Sequence, residues 1–269
     1  MTLTAFGLET FLVGQFVTFT LVLSRVSGLM LTAPIFGSSA APLQVRAFLA
    51  VAVSLLVLPA QLGSGPEYPG TTPNYLIYLA GEVLVGVTIG LGLLLLLGGI
   101  QVAGQIIGQL SGMALADVFN PTFDSESPVF GQLLYFVVLA VFVLMGGHRQ
   151  LMAALLDTFA VIPPGSGFMA GSVLDTLIAA LTQSFVVGIR AAAPVMTALL
   201  LATFVLGLIS RTLPQLNILA VGFGLNGFIT LGALLLSLGG AAWAFHDQFE
   251  PLMELLHQAL LDDQSAAAR

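Results

Sequence analysis

Apolar residues run along this chain in stretches of membrane-spanning length, and polar positions fall mostly between them. A span needs about twenty predominantly apolar residues. The first stretch runs from Leu8 to Ala33 with Arg25 inside it; the second, Leu43 to Leu62, is closed by the glycine- and proline-rich segment 63–73. The four that follow are longer: Asn74 to Ala116, Val129 to Ile162, Val173 to Leu213 and Ile218 to Leu261. As one straight helix, the first of these four would be a rod of about 65 Å, twice a hydrocarbon core of about 30 Å. Such segments must bend, break or leave the membrane plane. Breaks are expected at Gly98–Gly99, Gly146–Gly147, Pro194 and Gly239–Gly240. Proline removes a helix hydrogen bond and kinks the axis, and neighbouring helices or water can satisfy the freed groups within a membrane. The pattern therefore predicts an all-α fold of about six long, broken hydrophobic segments arranged as bent helical hairpins. No internal repeat or linker divides the chain, which reads as one domain over residues 1–269 with a short acidic C-terminal tail.

Composition narrows the solvent. Hydrophobic residues make up 58% and charged residues 7%, with mean hydropathy +1.06, whereas a soluble domain is roughly a quarter charged. A water-soluble monomer cannot hide that much apolar surface, and disorder needs the opposite composition. An integral membrane protein, or an obligate part of a membrane assembly, is what remains. There is no lysine, and the six arginines are scattered at 25, 46, 149, 190, 211 and 269. No basic patch exists to gather phosphates, so a nucleic-acid partner is not expected. The absence of cysteine excludes disulfides, thiolate metal sites and cysteine nucleophiles together. Glu9 stands at the start of the first apolar run and no positively charged region precedes that run, so no cleaved signal peptide is expected.

The most informative local pattern is QVAGQIIGQLSG, residues 101–112. Gly104, Gly108 and Gly112 recur at four-residue spacing, and so do Gln101, Gln105 and Gln109. On a helix each set forms a stripe, offset from the other by about 100°. Glycines let a second backbone come close, and glutamines are costly against lipid. The glutamine face therefore either makes hydrogen bonds between helices or lines a water-filled lumen. Next comes GMALADVFNPTFDSESP, residues 112–128, where Pro121 and Pro128 preclude a continuous helix. It is either an exposed loop or a re-entrant one buried in protein or lining a cavity. Arg25, Glu82, Arg149 and Arg190 lie inside apolar runs, where each requires a partner, a cavity or a route to the interface. Structural ion pairs or subunit contacts are the expected use, and His148–Arg149 after Gly146–Gly147 marks a helix end. No metalloprotease motif, carboxylate pair or phosphate-binding glycine loop is present. A nucleophilic Ser166 in the turn Gly165–Gly167 would need an oriented base.

Four stretches together resemble a known family: RVSGLMLTAPIFGSSAAPLQVR (25–46), the glutamine–glycine segment ending GMALADVFNP (101–121), GGHRQLMAALLDTF (146–159) and LGLISRTLPQLNILAVGF (206–223). They resemble the FliR family, the flagellar type III secretion export-gate proteins, related to the SctT subunits of injectisomes. Ser210 to Asn217, SRTLPQLN, is the most specific piece. The resemblance implies a non-enzymatic subunit, without cofactor or metal, whose hairpins join FliP-like and FliQ-like subunits in a spiral around an export pore. It implies FlhB-like and FlhA-like export components as further partners, with membrane lipid around the assembly and unfolded flagellar proteins passing through it. The location implied is the bacterial inner membrane, at the flagellar basal body. A plug loop maps onto Gly112, Met113, Phe119, Asn120, Pro121 and Phe123. Subunit packing maps onto Arg25, Arg46, His148, Arg149, Arg211, Pro214, Gln215 and Asn217. An injectisome subunit is the alternative, with a stand-alone transporter or channel behind it.

Overall fold

The computed structural model describes residues 2–34, 36–37, 42–62, 71–112, 129–166, 170–213, 215 and 218–267. Its elements are α1 (Thr2–Thr32), α2 (Leu43–Val57) with a 3-10 turn at Leu58–Gln61, α3 (Thr72–Leu110), α4 (Val129–Leu144), α5 (Gly147–Val161), α6 (Ala170–Thr212) and α7 (Ile218–Ala267). No strand occurs among the described residues, as the apolar pattern predicts. Among the described residues, five helices are long and apolar enough to cross a membrane, or six spans if the bent pair α4–α5 is counted as one.

Only one of the four expected breaks interrupts a helix. The chain turns at Met145–Gly146, where Gly146 adopts φ +72° and α4 and α5 are bent by 65°. By contrast, α3 runs through Gly98–Gly99, α6 through Pro194 and α7 through Gly239–Gly240, as helices of 39, 43 and 50 residues. The reason is energetic. A glycine inside a helix costs only about 1 kcal/mol, and proline removes a single hydrogen bond that a long helix can lose. At the one break that forms, Gly146 turns the backbone left-handed, a common way to end a helix.

The chain resolves into two compact units, and α3, α6 and α7 each contribute one part to both. Unit 1 comprises residues 1–94, 146–180 and 251–269. Leu21, Val26 and Leu29 of α1 are buried there, with Val85, Ile89 and Leu93 of α3, Leu151 and Leu155 of α5, and Leu252 and Leu256 of α7. Unit 2 comprises residues 95–145 and 181–250. Phe130, Leu134, Val138 and Phe142 bury one face of α4 at four-residue spacing, and Leu96, Ile100, Ala103 and Ile107 of α3 are buried in the same unit. An aromatic knot closes this core. The Phe142 ring meets Phe249 edge-on at 5.5 Å and Phe245 at 6.4 Å, while Phe245 and Phe249 stack at 6.0 Å.

The spans differ in how much of them is inside. Of its most apolar stretch, α3 buries 61% and α2 only 17%, with α6 and α7 at 28% and 33%. Phe48, Leu56, Leu201, Phe204, Phe228 and Leu236 are exposed. Single exposed apolar residues are ordinary, but whole faces of this kind mark a surface made for lipid or protein.

Candidate functional site

In unit 2, the sequence 95–112 of α3 sorts its two stripes to opposite fates. Gly104 and Gly108 are buried, whereas Gln101, Gln105 and Gln109 are exposed. Glycine is required because the neighbouring backbones are in contact. A methyl group on Gly104 would overlap the backbone of Gly131 in α4, and one on Gly99 would overlap the Ser184 carbonyl of α6. Gly188 of α6 faces Gly99 in return. These crossings give the close approach of small-residue helix interfaces and fix the rotation of α3. With that rotation set, the glutamines point away from the core. None of their side-chain amides has a hydrogen-bond partner among the described residues. Hydrogen bonding among the described residues thus does not account for the stripe.

The end of α3 is built to release the chain. Gly112 takes φ +82°, its N–H bonds the Gln109 carbonyl at 3.2 Å, and the Ser111 N–H bonds Ile107 at 2.9 Å. A left-handed glycine after the last helical turn is the ordinary C-terminal stop. Of the plug positions implied by the resemblance, Gly112 is half-buried. Met113, Phe119, Asn120, Pro121 and Phe123 lie outside the described residues.

In unit 1, two charges isolated in the apolar sequence meet. Arg25 is fully buried and Glu82 is 4% exposed. Arg25 Nε donates to Glu82 Oε2 at 2.6 Å, Nη1 to Thr158 Oγ1 at 3.0 Å and Nη2 to the Ile162 carbonyl at 3.0 Å. Its guanidinium carbon also stands 4.3 Å from the centre of the Phe159 ring, a cation–π contact. The other carboxylate oxygen, Glu82 Oε1, accepts the Gly165 N–H at 2.8 Å. Both ions therefore have several partners, which a buried pair needs if attraction is to offset desolvation.

Local sequence explains how the pair is reached. Gly28 and Gly86 bring α1 and α3 into backbone contact within four residues of Arg25 and Glu82, since a methyl on Gly86 would overlap the Arg25 carbonyl. Pro163 and Pro164 stop α5, because a residue before proline avoids the helical region, and Ile162 is extended at φ −116°, ψ 95°. Residues 163–166 then form a turn in which the Ser166 N–H bonds the Pro163 carbonyl at 3.2 Å and Gly165 takes φ +81°. Proline second and a positive-φ glycine third are the type II requirements. That turn leaves the Gly165 N–H free for Glu82.

The remaining charged positions are less enclosed. Arg190 Nη1 pairs with Asp247 Oδ2 at 2.8 Å in unit 2, with both side chains more than 40% exposed. His148 and Arg149 lie in the first turn of α5, as the helix-end expectation has it; His148 is half-buried, its Nδ1 has no hydrogen-bond partner among the described residues, and Arg149 is exposed. Arg46 is half-buried in α2, and Arg211 is exposed in the last turn of α6, as is Gln215 just beyond it. Pro214 and Asn217 lie outside the described residues. Thr158, Phe159, Gly165 and Asp247 are partners the sequence did not single out. No cluster of potential metal ligands occurs among the described residues.

Residues 16–252 match the family described as bacterial export proteins, family 1. The flagellar biosynthetic protein FliR of Pectobacterium carotovorum is 32% identical over 243 residues, covering 87% of this chain and 90% of its own. FliR of Escherichia coli K12 is 29% identical, covering 80% and 81%. The secretion system apparatus protein SsaT of Salmonella typhimurium is 26% identical over 62% of this chain and 65% of its own. With the match spanning α1 to α7, this chain belongs to the FliR family of bacterial export proteins.

Proposed function

We propose that this chain is a non-enzymatic subunit of a flagellar type III protein export gate in the bacterial inner membrane, at the basal body. It forms the secretion pore with FliP-like and FliQ-like subunits, and FlhB-like and FlhA-like components act beside it. Residues 112–128 supply a plug that keeps the pore closed until an unfolded flagellar protein arrives. The observation that carries this reading is the division of surface in unit 2. Exposed apolar faces on α6 and α7 fit lipid or neighbouring subunits, while α3 turns outward three amides that lack partners among the described residues and leads at Gly112 into the segment 112–128. Amides of that kind fit an aqueous lumen, since each costs on the order of 1–3 kcal/mol unpaired in an apolar setting. Closure is then water exclusion by apolar side chains, and opening is displacement of the loop.

The injectisome reading draws on the SsaT likeness, but FliR of Pectobacterium carotovorum matches at higher identity, 32% against 26%, and over more of the chain. Purification in mild detergent with mass measurement tests the proposal. The chain should be recovered stably only with FliP-like and FliQ-like partners; a monodisperse chain that binds a small solute on its own would sink the gate reading in favour of a transporter.

A further inference from the structure

We infer that Gln101, Gln105 and Gln109 form a track that hydrogen-bonds the main chain of an extended polypeptide passing through the gate. This rests on the export reading above and names what the exposed face of α3 touches. Four residues of helix advance about 6 Å, and two residues of extended chain advance about 6.6 Å. Successive glutamines therefore meet successive same-side peptide groups, with a drift of about 1 Å over the three that flexible side chains absorb. A primary amide offers two donors and an acceptor, so it pairs with either the N–H or the C=O of any residue. It also carries no charge. A charged group there would make hydrogen bonds roughly twice as strong and would hold oppositely charged segments selectively. The backbone contacts of Gly104 with Gly131 and Gly99 with Ser184 keep α3 from rotating the stripe away. Lipid is a poor occupant for three exposed amides that lack partners among the described residues.

The test places a photoreactive amino acid at 101, 105 or 109 in the full chain, in assembled gates stalled with a translocating substrate, and at exposed Leu236 for comparison. Substrate should crosslink at all three ladder positions. A triple Gln→Met variant that still assembles should slow export about tenfold, by the same factor for acidic, basic and uncharged passenger segments. A triple Gln→Asn variant, which keeps the amides, should lose less. Crosslinks from the ladder only to another subunit overturn the inference and make the stripe a packing surface. Substrate crosslinking at Leu236 but not at the ladder overturns it while leaving the export reading intact. A slowing confined to one charge class also overturns it. If gates lacking this chain export normally, the export reading itself fails.

Discussion

Replacing Arg25 by Met should be among the most damaging single changes in unit 1, and the reason is what it leaves behind. The substitution removes the Glu82 contact at 2.6 Å and the donors to Thr158 and Ile162. Thr158 keeps its own bond to the Leu155 carbonyl at 2.6 Å, so its loss is small. Glu82 keeps only the Gly165 N–H and stays 4% exposed, a carboxylate buried without a counter-charge. Breaking one side of a buried pair costs about 3–5 kcal/mol, a factor of about a hundred to a few thousand in the folding equilibrium. Against a total stability of about 5–15 kcal/mol, that should lower the amount of assembled protein severalfold.

The informative experiment is the double-mutant cycle. Arg25→Met with Glu82→Met removes both charges and replaces them with apolar volume, which in other buried pairs is neutral or stabilising by about 1–4 kcal/mol. Thermal unfolding and protease resistance of the detergent-purified assembly should therefore show the double variant losing well less than the sum of the two single variants, and short of wild type by the cost of leaving the Gly165 N–H and the Ile162 carbonyl unpaired. Swapping the charges, Arg25→Glu with Glu82→Arg, should not rescue, because the Gly165 N–H needs an acceptor and the Ile162 carbonyl needs a donor. If each single variant is within about 0.5 kcal/mol of wild type, the range of an ordinary surface change, or if the double variant loses the sum of the two, the pair is not the closed unit described above.

The neighbouring glycines of α3 should behave oppositely. Gly98→Ala meets nothing within 4 Å and should be neutral or stabilise by up to about 1 kcal/mol, whereas Gly99→Ala strikes the Ser184 carbonyl and should destabilise, both read by thermal unfolding. In the aromatic knot, Phe142→Ala should cost about 3–5 kcal/mol while exposed Phe185→Ala stays within about 0.5 kcal/mol, since Phe142 is 1% and Phe185 53% exposed. Deleting residues 113–123 should raise ion conductance through the assembled gate in planar bilayers; unchanged conductance would count decisively against that loop as a seal.

What could be read from the chain beforehand follows the range of the interactions. Helix positions came through because apolar runs and their punctuation are local: the Pro163–Pro164–Gly165 turn ends its segment through its own backbone preferences. The expected breaks at Gly98–Gly99, Pro194 and Gly239–Gly240 did not, because neither a glycine pair nor a proline ends a helix by itself, and Gly239 and Gly240 meet nothing within 4 Å. Gly99 is a crossing and Gly146 is a turn. Arg25 and Glu82 were recognisable as expensive residues in search of partners. That they partner each other, and that Thr158, Phe159 and Gly165 complete the site, depends on contacts spanning 57 to 137 positions, for which a single sequence carries no local signal. The glutamine stripe was visible as a stripe; its outward orientation was settled by Gly104 meeting Gly131.

The two uses of polarity in this chain answer opposite requirements. A buried group that must stay put gains from charge, because charge-assisted bonds are strong and their loss is heavily penalised; Arg25 and Glu82 hold α1, α3 and the 163–166 turn by that means. A surface that a chain must slide along has the reverse need, since every strong bond formed is a barrier to the next step. With net bonds of about 0.5–1.5 kcal/mol, an amide contact is broken within a few multiples of thermal energy, and its loss at one position is matched by its gain at the next. Exchanging the chemistries should therefore fail in both directions. Glu82→Gln should weaken the buried site, while Gln105→Glu should leave the fold intact, yet retard basic passenger segments more than acidic ones. Equal retardation of both would mean that position 105 does not face the passing chain.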